Sequence, residues 1–232
     1  MTDMADQTAA PADSRDMYVV HNMLRRAFGE LPALIRGVED GVERAGTVAD
    51  HARLLVAILS THHEAEDSVL WPKLMERCPG ELTPMVAAME QQHQRLHSLL
   101  DSMTERAEKY AATREAAERE ELARSADDVL DPMNEHLAAE ERDILPLIDR
   151  YCTNAEWASV GEHGLPQLTP AQVPLVFGMM FRVATEEQHT LLAENIPDEV
   201  FSQMAEVAPG ALEAYERALH GTDRTDNPAH PR

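Results

Sequence analysis

Two stretches of the chain share one pattern: HHEAEDSVLWPKL at 62–74 and HLAAEERDILPLI at 136–148. Each begins with histidine, has glutamate at its fifth and proline at its eleventh position, and ends on leucine or isoleucine. A weaker repeat relates HNML at 21–24 to HQRL at 93–96. The repeat predicts a domain whose two halves are related by approximate internal symmetry, so that equivalent residues gather around one axis.

Composition and periodicity favour helices. Of 232 residues, 44% are hydrophobic but only 4% are aromatic, and glycines number 10. A core of Leu, Val, Ile, Met and Ala with abundant Glu and Arg suits helices better than strands. Apolar residues recur at steps of three and four over 14–151, which predicts four long helices. We expect an all-α fold, an up-down four-helix bundle with an appendage of short helices.

The domain organisation follows from where this pattern begins and ends. Residues 1–13 are small and polar, and we expect them to be disordered. The bundle is expected over 14–151. A C-terminal helical extension is expected over 152–220, where helix breakers are closely spaced, followed by a polar tail over 221–232.

Charge and cysteine content exclude several classes of function. The formal net charge of −22 disfavours nucleic acid and anionic membranes as partners. No signal peptide or apolar run of about 18 residues is present, so we expect a cytoplasmic protein. Cys78 and Cys152 show no Cys-x-x-Cys spacing, which disfavours both a disulfide framework and a thiolate metal site.

Histidines and glutamates four residues apart carry the chemistry, because such residues lie on one face of a helix. Each pair aligns with the apolar stripe of its helix and is therefore predicted to point into the bundle. Burying these groups together without a counter-charge would cost several kcal/mol for each carboxylate, on the order of magnitude typical of buried ions. Imidazole with carboxylate suits iron, manganese or zinc. The predicted metal ligands are His21, His62, Glu66, His93, His97, His136 and Glu140.

Five imidazoles and two bridging carboxylates suffice for two metals. With a bridging solvent oxygen, a metal bound by His93, His97 and His136 is six-coordinate. A metal bound by His21 and His62 then keeps one open position, which suits oxygen, nitric oxide or peroxide.

Neighbouring polar residues are expected outside this set. His63 points about 100° around the helix from His62 and is predicted to be exposed. His51 is predicted to be a surface residue. Asp67 and Glu141 are predicted to lie on a solvated face, with a hydrogen bond to a ligand histidine as the alternative.

The order His21, His62-x3-Glu66, His93-x3-His97, His136-x3-Glu140 resembles the hemerythrin-like (HHE cation-binding) family over about residues 15–150. The proline six residues after each glutamate matches the family pattern, and the C-terminal appendage resembles extensions of some bacterial members. The resemblance implies a four-helix bundle with two oxo- or hydroxo-bridged iron ions that bind oxygen, nitric oxide or peroxide.

The leading hypothesis is therefore a non-haem di-iron protein that binds or reduces a small oxidant. If it turns over, it is an oxidoreductase of peroxidase, catalase or nitric-oxide-consuming type. The alternative is a sensor or iron-storage module without turnover. A ferritin-like oxidase is disfavoured because that class uses Glu-x-x-His spacing, and a zinc hydrolase because no His-Glu-x-x-His is present.

Overall fold

The computed structural model describes residues 10–38, 44–164 and 168–221. In this part of the chain the fold is all-helical without a β-strand, as predicted, and no helix is both long and apolar enough to cross a membrane. The helices are α1 (Met17–Arg36), α2 (Arg44–Ala65), α3 (Trp71–Arg77), α4 (Pro79–Thr113), α5 (Ala116–Asp143), α6 (Leu145–Tyr151), α7 (Asn154–Gly164), α8 (Val173–Val183), α9 (Glu186–Asn195) and α10 (Asp198–His220).

The four long helices α1, α2, α4 and α5 form the bundle. Each packs against the next in sequence, and α1 also packs against α5, which closes the ring of four. Their apolar stripes meet in a common core of Leu, Ile, Val, Met and Ala, as the low aromatic content predicts. The reversal between α4 and α5 is tight because Arg114 adopts the left-handed conformation with φ 57° and donates its N–H to Tyr110 O.

The second and fourth bundle helices end within the repeated stretches, just before the proline that each contains. After α2 the chain makes one π-helical turn, Glu66–Leu70, and the N–H of Trp71 donates to Glu66 O five residues back. Pro72 has no N–H to donate and its ring crowds the preceding turn, which favours this wider turn. Pro146 likewise follows the break between α5 and α6 at Ile144.

Helix α4 begins at Pro79, and a second proline, Pro84, lies inside it. Pro79 takes a first-turn position, where its missing N–H costs no hydrogen bond. Thr83 does not cap the helix; its hydroxyl donates to Pro79 O at 2.6 Å.

Residues 10–13 are ordered against the start of the extension, so the expected disordered segment is too long. Ala12 N–H donates to Cys152 O at 3.0 Å, and Asn154 N–H donates to Ala10 O at 2.8 Å. Ala12 is buried in a second group of apolar side chains, which includes Trp71, Ile148 and Trp157. Residues 1–9 and 222–232, which hold the rest of the expected disordered segment and polar tail, lie outside the described residues.

The extension shares the hydrophobic core of the bundle. Phe177 and Met180 of α8 and Met204 of α10 belong to the same buried cluster as the bundle residues. Within the extension, α8 and α10 cross closely at Gly178, where an added Cβ would lie 2.9 Å from Ala208 O and from Leu212 Cβ. The short helices are therefore built against the bundle and contribute to its core.

Candidate metal centre

Seven titratable side chains from all four bundle helices meet in the interior of the bundle. Helix α1 supplies one, α2 and its π-helical turn supply three, α4 supplies one and α5 supplies two. Six of the seven are buried and the seventh, His62, is nearly so. They are His21, His62, His63, Glu66, His93, His136 and Glu140.

The carboxylate of Glu66 lies between two histidines from different helices. Its Oε1 is 3.0 Å from His62 Nε2, and its Oε2 is 3.4 Å from His93 Nε2. Each oxygen thus faces an imidazole from a different helix, which is the arrangement that a bridging carboxylate needs.

Glu140 occupies the matching place on α5. Its Oε2 is 3.3 Å from His21 Nε2 and 3.9 Å from His136 Nε2. The Nε2 atoms of His93 and His136 lie 3.3 Å apart, so these two rings converge on one point.

The donor atoms divide into groups compact enough to hold ions, with all atoms of a group within 4.8 Å of one another. One group contains three imidazoles, those of His63, His93 and His136. Another contains the imidazoles of His21 and His62 with Glu140, and a third places Glu66 with His136 and Glu140. Two neighbouring sites that share carboxylates fit this division, and one has an imidazole fewer than the other.

Several polar atoms of the cluster are buried without a hydrogen bond. Both carboxylate oxygens of Glu66 and of Glu140 have none, and neither does Nε2 of His21, His62 or His63. Burial and the charge of Glu140 raise the pKa of Glu66 well above its usual value. Buried carboxylates without partners are strongly unfavourable, and bound cations would supply the missing partners. The nitrogen and oxygen donors without thiolate suit iron, manganese or zinc.

Three histidines of the cluster are held from outside through their Nδ1 atoms. His21 Nδ1 is 2.8 Å from Glu141 Oε1, and His93 Nδ1 is 2.9 Å from Asp67 Oδ1. His136 Nδ1 is 3.1 Å from Gln92 Oε1. An Nδ1–H that donates outward leaves the Nε2 lone pair facing the cluster, which is the usual arrangement of metal-binding histidines.

The two outer carboxylates are themselves anchored. Arg25 donates to Glu141 Oε1 at 2.6 Å, and the indole N–H of Trp71 donates to Asp67 Oδ1 at 2.9 Å. Both carboxylates thus make the hydrogen bond to a histidine that was the alternative prediction. The side chain of Asp67 is also 44% exposed, as expected for a solvated face, whereas that of Glu141 is only 18% exposed.

Burial keeps three of the five imidazoles neutral. It lowers the pKa of His62 to about 3 and that of His136 to about 4, and it lowers the pKa of His63 well below its usual value. Neutral imidazole is the form that binds metal. These three rings are therefore ready to act as ligands at neutral pH.

Neighbouring carboxylates reverse this effect at the other two rings. Burial lowers the pKa of His21, but Glu140 and Glu141 outweigh burial and raise the pKa to about 9. The same balance, with Asp67 as the leading carboxylate, raises the pKa of His93 to about 9. Protons on these rings take the place that a cation would take beside the carboxylates.

The structure does not bring His97 into the cluster, and its prediction as a ligand is corrected. Its side chain is 71% exposed and lies 3.5 Å from Asp101. At about 100° per residue, His97 lies 40° to one side of His93, whereas Leu96 and Leu100 lie on the other side. The buried stripe of α4 follows the leucines, so His97 faces solvent.

His63 takes the place expected for His97, although the sequence predicted it to be exposed. It is only 6% exposed, and its ring stacks on His93 with centroids 4.2 Å apart and stands edge-on to His136 at 4.9 Å. On a helix Glu66 lies about 40° around from His62 and His63 about 100°, so the carboxylate stands between the two rings. The adjacent pair His62–His63 therefore spans both halves of the cluster.

His51 is also buried, against expectation, but belongs to a different contact. Its Nδ1 lies 3.1 Å from the hydroxyl of Tyr215 in α10. The extension covers this face of α2, and nothing in the sequence near His51 indicates that contact.

A family model agrees with this geometry. The model of the hemerythrin HHE cation-binding domain matches residues 13–148, more than half of the chain. The chain belongs to the hemerythrin HHE family. Searches of curated proteins and of solved structures find no significant match. The matched range covers the bundle and all seven clustered residues, and the extension lies beyond it.

Proposed function

We propose that the protein holds two iron ions, bridged by oxide or hydroxide, and uses them to bind or reduce a small oxidant such as oxygen, peroxide or nitric oxide. One ion would be held by His63, His93 and His136. The other would be held by His21 and His62. Glu66 and Glu140 would bridge the two.

The observation that carries this proposal is the convergence of buried, unpaired donors. Three imidazole Nε2 atoms and four carboxylate oxygens are buried without a hydrogen-bond partner, and the Nε2 atoms of the other two imidazoles lie beside them, 3.3 Å from each other. A set with two carboxylates fits a pair of divalent ions better than one. The half with two imidazoles would leave one metal position for a small ligand.

The chain's own residues supply orientation and shielding. Glu141, Asp67 and Gln92 hold three rings with Nε2 inward. The core residues of α1 and α4 exclude bulk water from the centre. Bound iron would supply electron transfer and Lewis acidity. The alternative function, iron storage or sensing without turnover, uses the same ligands.

Metal analysis of protein expressed in iron-replete cells tests the centre. We expect about two irons per chain, by the count of donor groups, and near-ultraviolet absorption from the bridged pair. Stoichiometric zinc without iron would contradict the proposal. Consumption of peroxide or nitric oxide over many turnovers would assign an enzyme, whereas a single spectral change without consumption would assign a sensor or store.

A further inference from the structure

A cavity of about 310 Å³ lies between the bundle and the extension. Helices α1 and α2 form one wall, and α7, α8 and the region from α9 to the start of α10 form the other. Its volume is within the roughly 300–1,000 Å³ range of ligand pockets. The lining is mainly apolar, with Met17, Val20, Met23, Ile58, Ala65, Ala158, Val160, Leu168, Val176, Phe177, Met180, Leu192, Ile196 and Val200.

One residue of the lining also belongs to the metal centre. His62 borders the cavity, and it is the imidazole that, with His21, forms the half of the cluster with fewer ligands. Among the described residues of the cluster, the cavity reaches His62 alone. The cavity therefore connects to the side of the centre where an external ligand would bind.

The charged groups at the cavity determine which ligands fit. Among the residues that the structure describes, the cavity is lined by Asp16 and Glu162 but by no lysine or arginine. Asp16 is already used structurally, since it accepts from the Trp157 indole at 2.9 Å and from the Asn195 amide at 2.8 Å. An anionic head group would find no cation and two carboxylates, which disfavours fatty acids and phosphates. Apolar cavities of this kind take up neutral apolar molecules.

We propose that this cavity binds a neutral organic molecule with an apolar tail and one oxygen-bearing end, with that end at His62. Tail binding requires the cavity alone. The position of the oxygen-bearing end rests on the proposed function, because it places that end beside the open metal position. The ligand class is thus an alcohol or an organic hydroperoxide rather than an ionised acid.

The test uses the full-length, iron-loaded protein and the neutral fluorophore N-phenyl-1-naphthylamine. We expect it to bind and to be displaced by 1-octanol, with octanoate weaker by about tenfold or more. Val176→Phe should weaken binding by a similar factor, because Val176 lines the cavity on α8, far along the chain from the ligands. Val207→Phe is the matched control, because Val207 is 41% exposed and does not line the cavity. Thermal unfolding verifies that each variant folds, and Ala158→Phe on α7 replaces Val176→Phe if that variant does not.

Iron content, measured in the same samples, separates this inference from the function that it deepens. Equal binding by wild type and the filled variants would overturn the cavity site, as would tight octanoate binding. A protein that takes up no iron but still binds the probe would contradict the di-iron function through its missing iron, and the cavity site would stand. Finally, 1-octanol should shift the near-ultraviolet absorption of the iron centre in wild type but not in Val176→Phe. If 1-octanol leaves the wild-type spectrum unchanged, the oxygen-bearing end does not lie at His62.

Discussion

Replacing Glu66 by glutamine should change the stability of the metal-free and metal-loaded proteins in opposite directions. Both oxygens of the Glu66 carboxylate are fully buried and accept no hydrogen bond. Glutamine keeps the size of the side chain and removes the carboxyl group, whose raised pKa in the fold costs folding free energy at neutral pH. The metal-free variant is therefore expected to be more stable than metal-free wild type, whereas the loaded variant should lose most of the stabilisation by iron.

The magnitudes decide the order of the four proteins. The glutamine amide is still a buried polar group, but a buried ionisable carboxyl costs more than a neutral amide, so the variant should gain about 2 kcal/mol without metal. For a chain of this length, that gain corresponds to a rise in Tm of about 4–8 °C. Iron at about a thousand times its Kd would stabilise wild type by about 4 kcal/mol. Loaded wild type should then exceed the variant, and the metal-free variant should exceed metal-free wild type.

Thermal and urea unfolding followed by circular dichroism measures this order, with a chelator or with anaerobic ferrous iron. Glu64→Gln is the matched control, because Glu64 lies on the same helix and is exposed. It should change neither protein by more than about 0.5 kcal/mol. A metal-free Glu66→Gln protein that unfolds below metal-free wild type would refute the view that this carboxyl group destabilises the metal-free bundle.

Three further predictions concern the surroundings of the centre and the extension. Burial lowers the pKa of His51 to about 4. As the pH falls below about 6.5, the unfolded chain therefore binds a proton at this residue that the folded chain does not. The free energy of unfolding should fall by about 3 kcal/mol by pH 4. His51→Phe should flatten this decline in urea titrations, and an identical slope would contradict it. Gly178→Ala should destabilise the protein by about 1–3 kcal/mol, because the added methyl would lie 2.9 Å from the facing helix. Gly210→Ala has open space around it and should stabilise the protein by about 0.5–1 kcal/mol. Equal effects of the two variants in urea unfolding would rule out close packing at the crossing of α8 and α10. Glu141→Ala removes the Nδ1 partner of His21 and should weaken iron binding about 10–100-fold in a chelator competition, and unchanged affinity would show that the ring needs no such support.

The helices and most of the cluster could be predicted because both depend on local spacing. The His62-x3-Glu66 and His136-x3-Glu140 pairs lie on the apolar stripes of their helices, and a helix must bury its stripe. The same spacing rule failed for His93-x3-His97. Two side chains that are four residues apart point within about 40° of each other around a helix. Only the positions of Leu96 and Leu100 show which edge of the stripe is buried.

The misplacement of His63 has a related cause. The prediction assumed that all ligands from one helix lie on a single apolar stripe. His62 and His63 point about 100° apart around α2, which is wider than that stripe but is acceptable for a centre with two metals.

The contacts of the extension could not be predicted from the sequence for another reason. His51 with Tyr215, and the cavity beside His62, depend on how short helices fold back over α2, and no local pattern encodes that return.

The central claim, a two-metal centre whose fifth imidazole comes from His63, is tested most directly by iron content in one pair of variants. His63 directly follows the candidate ligand His62, and His97 lies four residues after the candidate ligand His93. His63 is only 6% exposed, whereas the side chain of His97 is 71% exposed. We predict that His97→Ala keeps the wild-type iron content of about two per chain, and that His63→Ala falls to about one, because one of the two donor groups loses a ligand. Full iron in His63→Ala together with loss of iron in His97→Ala would contradict the account.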